Sequence, residues 1–394
     1  MIKREHYISR IRPFYDSDLI KVITGIRRSG KSVIMKQIIE ELEEKEKTCL
    51  FIDFDVRQNR REIGNADALI SYVEQRLTDK PLYVFLDEVQ NVEGWNEACR
   101  TLRLMNCSVF ITGSNSKLLS REFTKELSGR YVSFHVRPFL YKEAKEYANI
   151  LNREYTTTDY LVWGGFPASI EYSDVESLKI YLNDLNDTIV YNDLENRYHI
   201  RNTDVFERVV DYVLVCNSRI ISARSICDYL KSQHILVSVP TIIKYLSYLE
   251  EAYVIQNVSL YSTKSKSNLN YYYKLYNEDV SFNSIRAREN RYDLTHNLEN
   301  IVYNELIYRG YEVTVFNNKG HEIDFRAAKE GKVFLVQVAY SVAEEKAYKR
   351  EFSAFDKLDN SAKKIIITND DIDYSTSTVE HIKLERFLLM DELA

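Results

Sequence analysis

Short apolar runs alternate with stretches of helical period from the N-terminus to about Ile150. Lys21-Val22-Ile23-Thr24 reads as a strand, Ser32 to Glu46 as a helix and Cys49 to Phe54 as a second strand. Ala66 to Leu77 follows as a helix, Leu82 to Leu86 as a third strand and Trp95 to Leu104 as another helix. Ser108 to Thr112 and Tyr131 to Val136 read as the fourth and fifth strands. Strands that are apolar along their length and separated by helices predict an α/β fold, with a parallel sheet covered on both faces.

The pattern then changes. From about Leu140 to Asn217 it is helical, with Gly164-Gly165-Phe166-Pro167 as a tight turn between helices. From about Ser218 to Tyr276 short helices precede strands, and the C-terminal hundred residues read helix, strand, strand, helix, strand. These shifts predict four segments: 1–140, 141–217, 218–280 and 281–394.

Composition narrows the classes. A chain of 394 residues suits several domains, and 45% hydrophobic with 28% charged residues is ordinary for a globular protein. A net charge of -6 argues against a chain that is a nucleic-acid binder as a whole, so any such contact needs a local basic patch. No apolar run suits a signal peptide or a membrane span. The five cysteines form no C-x-x-C pair, and a reducing, cytoplasmic setting without structural zinc is expected.

Gly25-Ile26-Arg27-Arg28-Ser29-Gly30-Lys31-Ser32 has the G-x-x-x-x-G-K-[ST] form, between a predicted strand and a predicted helix. Glycines let backbone N–H groups curl toward phosphates, and the helix adds the positive end of its dipole. Lys31 is expected on the β- and γ-phosphates of ATP and Ser32 on Mg²⁺. The candidate nucleotide-binding set is Gly25, Arg27, Arg28, Ser29, Gly30, Lys31, Ser32 and Val33. Arg27 and Arg28 either add charge near the phosphates or lie solvated on the loop.

Leu82-Tyr83-Val84-Phe85-Leu86-Asp87-Glu88 is an apolar strand ending in two carboxylates. Asp87 suits Mg²⁺, directly or through water, and Glu88 suits the base that polarises an attacking water. The strand Ser108 to Thr112 ends in Gly113-Ser114-Asn115. In ATPases with a catalytic Glu such a strand inserts between the two motif strands, and Ser114 or Asn115 would sense the γ-phosphate.

Residues 20 to 140 resemble the AAA+ ATPase module of a large prokaryotic family. The matching segments are Thr24 to Ser32, Phe85-Leu86-Asp87-Glu88-Val89-Gln90 with Gly94-Trp95, Ile111 to Asn115, and Leu127 to Tyr131. Gly164-Gly165-Phe166-Pro167 also recurs in that family, whose members join this module to a winged helix and a restriction-endonuclease-like C-terminal domain. The resemblance implies a ring-like homo-oligomer, with ATP and ADP bound between subunits and a neighbour's arginine at the transferred phosphoryl group. Arg130 is the first candidate for that arginine and Arg121 the second.

Further along, the helical stretches Ser222 to Leu230 and Pro240 to Glu251, followed by two strands, predict a winged helix. Arg219, Arg224, Lys231, Lys244, Lys264 and Lys266 outnumber Asp228, Glu250 and Glu251, so DNA is a candidate partner. Thr241, Lys244, Tyr245 and Tyr248 are the residues offered for base reading. The C-terminal layout resembles nucleases of the restriction-endonuclease fold. Glu299 and Asp324 occupy acid positions, but Gln337 stands where a second strand acid belongs and Ala339 where a lysine belongs. A site built on Glu299, Asp324 and Gln337 is expected to be vestigial, unless Lys332 or Lys346 replaces the lysine. The chain is thus expected to be an ATPase, with an ATP-dependent nuclease and a nucleotide-switched scaffold as rivals.

Overall fold

A computed structural model describes residues 2–113, 129–261, 273–318, 321–356, 358 and 362–393. Two compact units emerge: Met1–Pro138 with Glu251–Tyr253, and Phe139–Glu250 with Val254–Ala394.

The first unit is built on five parallel strands: β1 (Ile20–Thr24), β2 (Thr48–Asp53), β3 (Leu82–Asp87), β4 (Cys107–Gly113) and β5 (Tyr131–His135), in the order β2-β3-β4-β1-β5. As expected for this class, β4 inserts between β1 and β3. β1, β3 and β4 are buried along their whole length, which is why their sequences are mostly apolar. Ile20, Val22, Val84, Leu86 and Ile111 pack with Leu69, Val73, Cys99 and Leu102 from the helices Ala66–Glu74 and Trp95–Leu104. The helix α1 (Glu5–Ile11) contacts α2 (Lys31–Glu43), which in turn contacts β2 and β4.

Lys21 interrupts the apolar pattern of β1. Its ammonium is buried against the Ser108 hydroxyl (2.8 Å) and the Ser17 carbonyl (3.2 Å), and burial pushes it down to about 7. Two short helices escaped the sequence reading, α1 and Arg57–Ile63; each is seven residues, too brief for a clear period.

In the second unit, residues 139 onward begin with the helices Tyr141–Ile150, Thr157–Trp163, Val175–Asn186 and Thr203–Val215. The expected glycine turn has a clear physical cause. A Cβ on Gly164 would lie 1.9 Å from an Asp279 oxygen, and one on Gly165 would lie 1.7 Å from the Phe139 carbonyl oxygen. The Gly165 N–H donates to Asp279 at 2.7 Å, and burial pushes that carboxyl up to about 6.

Next come β6 (Ile220–Ile221), the helices Ala223–Ser232 and Val239–Glu251, β7 (Ile255–Val258), β8 (Leu260–Tyr261) and β9 (Tyr273–Asn277). β6, β9 and β7 form an antiparallel sheet in that order. In the long helix Leu294–Tyr308 every residue from Asn297 to Leu306 is buried. It is a helix enclosed on all sides, and its polar groups find partners: Asn300 bonds the Asn277 N–H and carbonyl at 2.7 and 2.9 Å.

A second sheet follows, from β10 (Glu312–Asn318), β11 (His321–Lys329), β12 (Lys332–Val338), β13 (Lys363–Thr368) and β14 (Val379–Lys383). With β8 they form six strands in the order β14-β13-β12-β11-β10-β8. The sheet is mixed: β10, β11 and β12 run antiparallel, while β12, β13 and β14 run parallel. The C-terminal order is therefore helix, three strands, helix, two strands, helix, richer than the alternation alone predicts.

Candidate nucleotide-binding site

The loop after β1 is shaped by two glycines. Gly25 has φ +141°, and a Cβ there would lie 2.0 Å from the Val136 carbonyl oxygen. Gly30, with φ +96°, opens α2 in the left-handed region. Lys31, on the first turn of α2, is buried and folds back over the loop: its ammonium donates to the Gly25 carbonyl at 3.0 Å and to the Ile26 carbonyl at 3.1 Å. Burial lowers its pKa, and the nearby Glu88 and Asp87 work against that shift. The Ser29 hydroxyl is buried and has no hydrogen-bond partner among the described residues.

Opposite the loop, Asp87 ends β3. Its carboxylate accepts the Thr112 hydroxyl from the neighbouring β4. Burial raises its pKa, against hydrogen bonds from Thr112 and Ser32. Ser32 and Asp87 are thus adjacent, as a shared Mg²⁺ requires. Glu88 follows in a left-handed conformation, φ 52°, which a non-glycine residue adopts only when its surroundings hold it. Its N–H donates to Thr112 Oγ1 at 3.0 Å, and its carboxylate accepts Gln90. Thr112 therefore ties both acids to the tip of the inserted strand.

Among the other expected residues, Arg27 and Val33 are half-buried and Arg28 is exposed, with φ 65°. Arg27 lies close enough to lower the pKa of both Lys31 and Asp55. Ser114, Asn115 and Arg121 lie outside the described residues. Arg130 is exposed just before β5, and its carbonyl accepts the Ile20 N–H at 2.9 Å. That places it at the N-terminal end of the parallel strands, opposite the phosphate loop, and it has no salt bridge among the described residues.

Three contributors were not found from the sequence. Arg4 is buried beneath the loop, where its guanidinium donates to the Ser29 carbonyl at 2.8 Å and the Arg137 carbonyl at 3.0 Å. Thr112 is the hub just described. Asp55, whose pKa is raised by burial and Glu88, adds a third carboxylate on this side.

The donor set fits a magnesium triphosphate. Hard oxygen donors from Ser32 and Asp87 suit Mg²⁺, and the curled loop with its orphaned Ser29 hydroxyl suits phosphate oxygens. Among the described residues no His, Cys, Asp and Glu cluster forms a ready-made metal cage.

In the second unit, Glu299 and Asp324 do come together, joined by Glu322. The cation among them is Lys274, from β9, and it is neither Lys332 nor Lys346. Gln337 bridges elsewhere, accepting the Asp324 N–H at 3.3 Å and donating to Glu351 at 2.7 Å. On the helix Val239–Glu251, Tyr245 and Tyr248 are buried against Phe206 and Tyr198, so they are core residues and not base readers. Thr241 is engaged with the Ser238 cap.

The chain is 31% identical over 378 residues to an uncharacterized protein of Haemophilus influenzae, covering 93% of each. It is also 31% identical over 375 residues to the uncharacterized protein MJ1544 of Methanocaldococcus jannaschii, covering 89% of this chain and 82% of that one. The chain belongs to their family. Its residues 17–145 match the AAA domain, and residues 154–288 and 295–387 match two domains of unknown function, DUF8612 and DUF4143. The Walker-type ATPase paby2304 of Pyrococcus abyssi shares the fold, with a TM-score of 0.51 at 17% identity over 73% of this chain and 96% of that one. The first unit of this family member is thus a P-loop module of the AAA type, made to bind a nucleotide. Among the described residues no helix is long and apolar enough to cross a membrane.

Proposed function

We propose that the chain binds ATP with Mg²⁺ and hydrolyses it. The observation that carries this reading is the pairing of a buried Lys31 on the loop carbonyls with the Ser32–Asp87–Thr112–Glu88 chain across from it. On this reading Lys31 leaves the carbonyls of Gly25 and Ile26 for the β- and γ-phosphates, while loop N–H groups hold the same oxygens. Ser32 and Asp87 hold Mg²⁺, which neutralises charge on the phosphate oxygens when bound. Glu88, fixed through its N–H by Thr112, orients the attacking water and takes its proton. Arg130 acts from a neighbouring subunit of a ring-like homo-oligomer; its exposed place away from its own loop supports a role in trans.

Glu88→Gln tests the chemistry. ATP binding should persist while turnover falls about 10²-fold or more, as for loss of a general base. Turnover within about threefold of the parent removes Glu88 from that role.

The rest of the chain is read as what the nucleotide state moves. The order helix, strand, two helices, three strands from Thr203 to Asn277, with β6, β9 and β7 in one antiparallel sheet, supports a winged helix. The helix and three strands from Leu294 to Val338, followed by a helix and a parallel strand, support a nuclease-like sheet that does not cut. With Tyr245 and Tyr248 packed inside, DNA contact among the described residues falls to Lys244, Lys231 and Arg224, which suit phosphates and not bases; Lys264 and Lys266 lie outside the described residues. A gel shift that weakens steeply with salt supports this partner, and no shift at low salt removes it.

A further inference from the structure

Lys274 reaches out of β9 into three acids carried by two other elements. Its ammonium lies 2.7 Å from Glu299 Oε1, 3.0 Å from Glu322 Oε1 and 3.1 Å from Asp324 Oδ1, with 5% of its side chain exposed. An ammonium has three N–H donors, and each acid can take one. The acids are themselves held in place. Glu299 Oε1 also accepts the Tyr276 hydroxyl at 2.7 Å, and the second Asp324 oxygen accepts the Val338 N–H at 2.9 Å.

We propose that the Lys274 ammonium permanently fills the cation position of this acid cluster, in place of a divalent metal. One nitrogen stands at the point that a carboxylate oxygen from the Leu294–Tyr308 helix and two from β11 share. A metal-dependent hydrolase would put its ion at such a point, and the ammonium and an ion cannot both be there. The acids therefore serve to lock β9 to the six-stranded sheet.

The charges agree with a site already closed. Burial works against the Lys274 charge, but Asp324, Glu299 and Glu322 together raise its pKa. Three carboxylates exceed one ammonium, and burial with Asp324 pushes Glu299 up to about 8. The inference is independent of ATP hydrolysis. It deepens the nuclease-like reading by stating why that sheet does not cut, and its test counts ions, not cleavage.

Mn²⁺ binding to the full chain without nucleotide, followed through the EPR signal of free Mn²⁺, decides the matter. Lys274→Met should bind one Mn²⁺ more than the parent, and Lys274→Met with Asp324→Asn should lose it again. Glu322→Gln and Asp324→Asn alone should leave the Mn²⁺ count of the parent unchanged. The proposal is overturned if either single acid variant removes an ion from the parent, a comparison that stands even if Lys274→Met does not fold. It is also overturned if folded Lys274→Met gains no ion, or if the parent cuts DNA with Mn²⁺ and Lys274→Met does not. A sheet that is not nuclease-like in origin leaves the Mn²⁺ counts unaffected, so the two ideas fail separately.

Discussion

Two buried lysines, one in each unit, hold opposite kinds of partner. Lys31 rests on two neutral carbonyls of its own loop, while Thr112 bonds the Asp87 carboxylate and the Glu88 N–H nearby. Lys274 is bonded to three carboxylates at once. A hydrogen bond between neutral groups contributes about 0.5–1.5 kcal/mol net, and one to a charged group about 1.5–3. Lys274 is hydrogen-bonded to anions, whereas the hydrogen bonds of Lys31 go to neutral carbonyls and burial lowers its pKa. A triphosphate offers Lys31 a better partner than it has. Nothing comparable can be offered to Lys274. Burying a lysine thus makes a binding site in one place and a structural lock in the other.

Exchanging each lysine for Met should separate the two roles. Lys274→Met leaves buried carboxylates uncompensated and should lower unfolding stability by about 3–5 kcal/mol in urea titrations, while ATP binding is kept. Equal stability to the parent would mean that the acids are not locked by this residue. Gly165→Ala should cost about 1–3 kcal/mol, because the new Cβ meets the Phe139 carbonyl oxygen in a packed turn; an unchanged urea midpoint would show that the turn yields.

A pH effect comes next. Burial holds Asp279 at about 6, Glu305 at about 7 and Glu299 at about 8, all above their unfolded values. The folded chain then keeps protons that the unfolded chain releases, so stability present at low pH is lost as pH rises through those values. His381, Lys21 and Lys31, all lowered by burial, oppose this. Urea midpoints should fall between pH 5 and 7, at up to about 1.4 kcal/mol per pH unit for each group. A rising midpoint would place these carboxyls in better-solvated surroundings. The smallest effect is that of Lys31→Met on stability without nucleotide, about 1.5 kcal/mol or less, because the burial that disfavours the ammonium offsets much of what its bonds to two carbonyls contribute.

The phosphate loop was legible because its parts are contiguous. Gly25, Gly30, Lys31 and Ser32 lie within one turn, where spacing alone dictates geometry. The parallel sheet was legible for a similar reason, since strands buried on both faces must be apolar throughout. The supporting groups were hidden by distance along the chain. Arg4 reaches the loop across 25 residues and Arg137 across 133, and Lys274 reaches Asp324 across 50. A lone lysine on a strand gives no sign of which acids will surround it. Tyr245 and Tyr248 misled in the other direction, because an aromatic residue on a helix suits a core as well as a base. Thr112 read only as the last residue of its strand, yet its hydroxyl organises both site acids.

Calorimetric titration of MgATP into the parent and into Lys31→Met tests the central claim most directly. The parent should bind one nucleotide per chain with a measurable heat, and Lys31→Met, still folded, should bind none at the same concentrations. Silence from the parent, or equal affinity in the two proteins, would contradict the account.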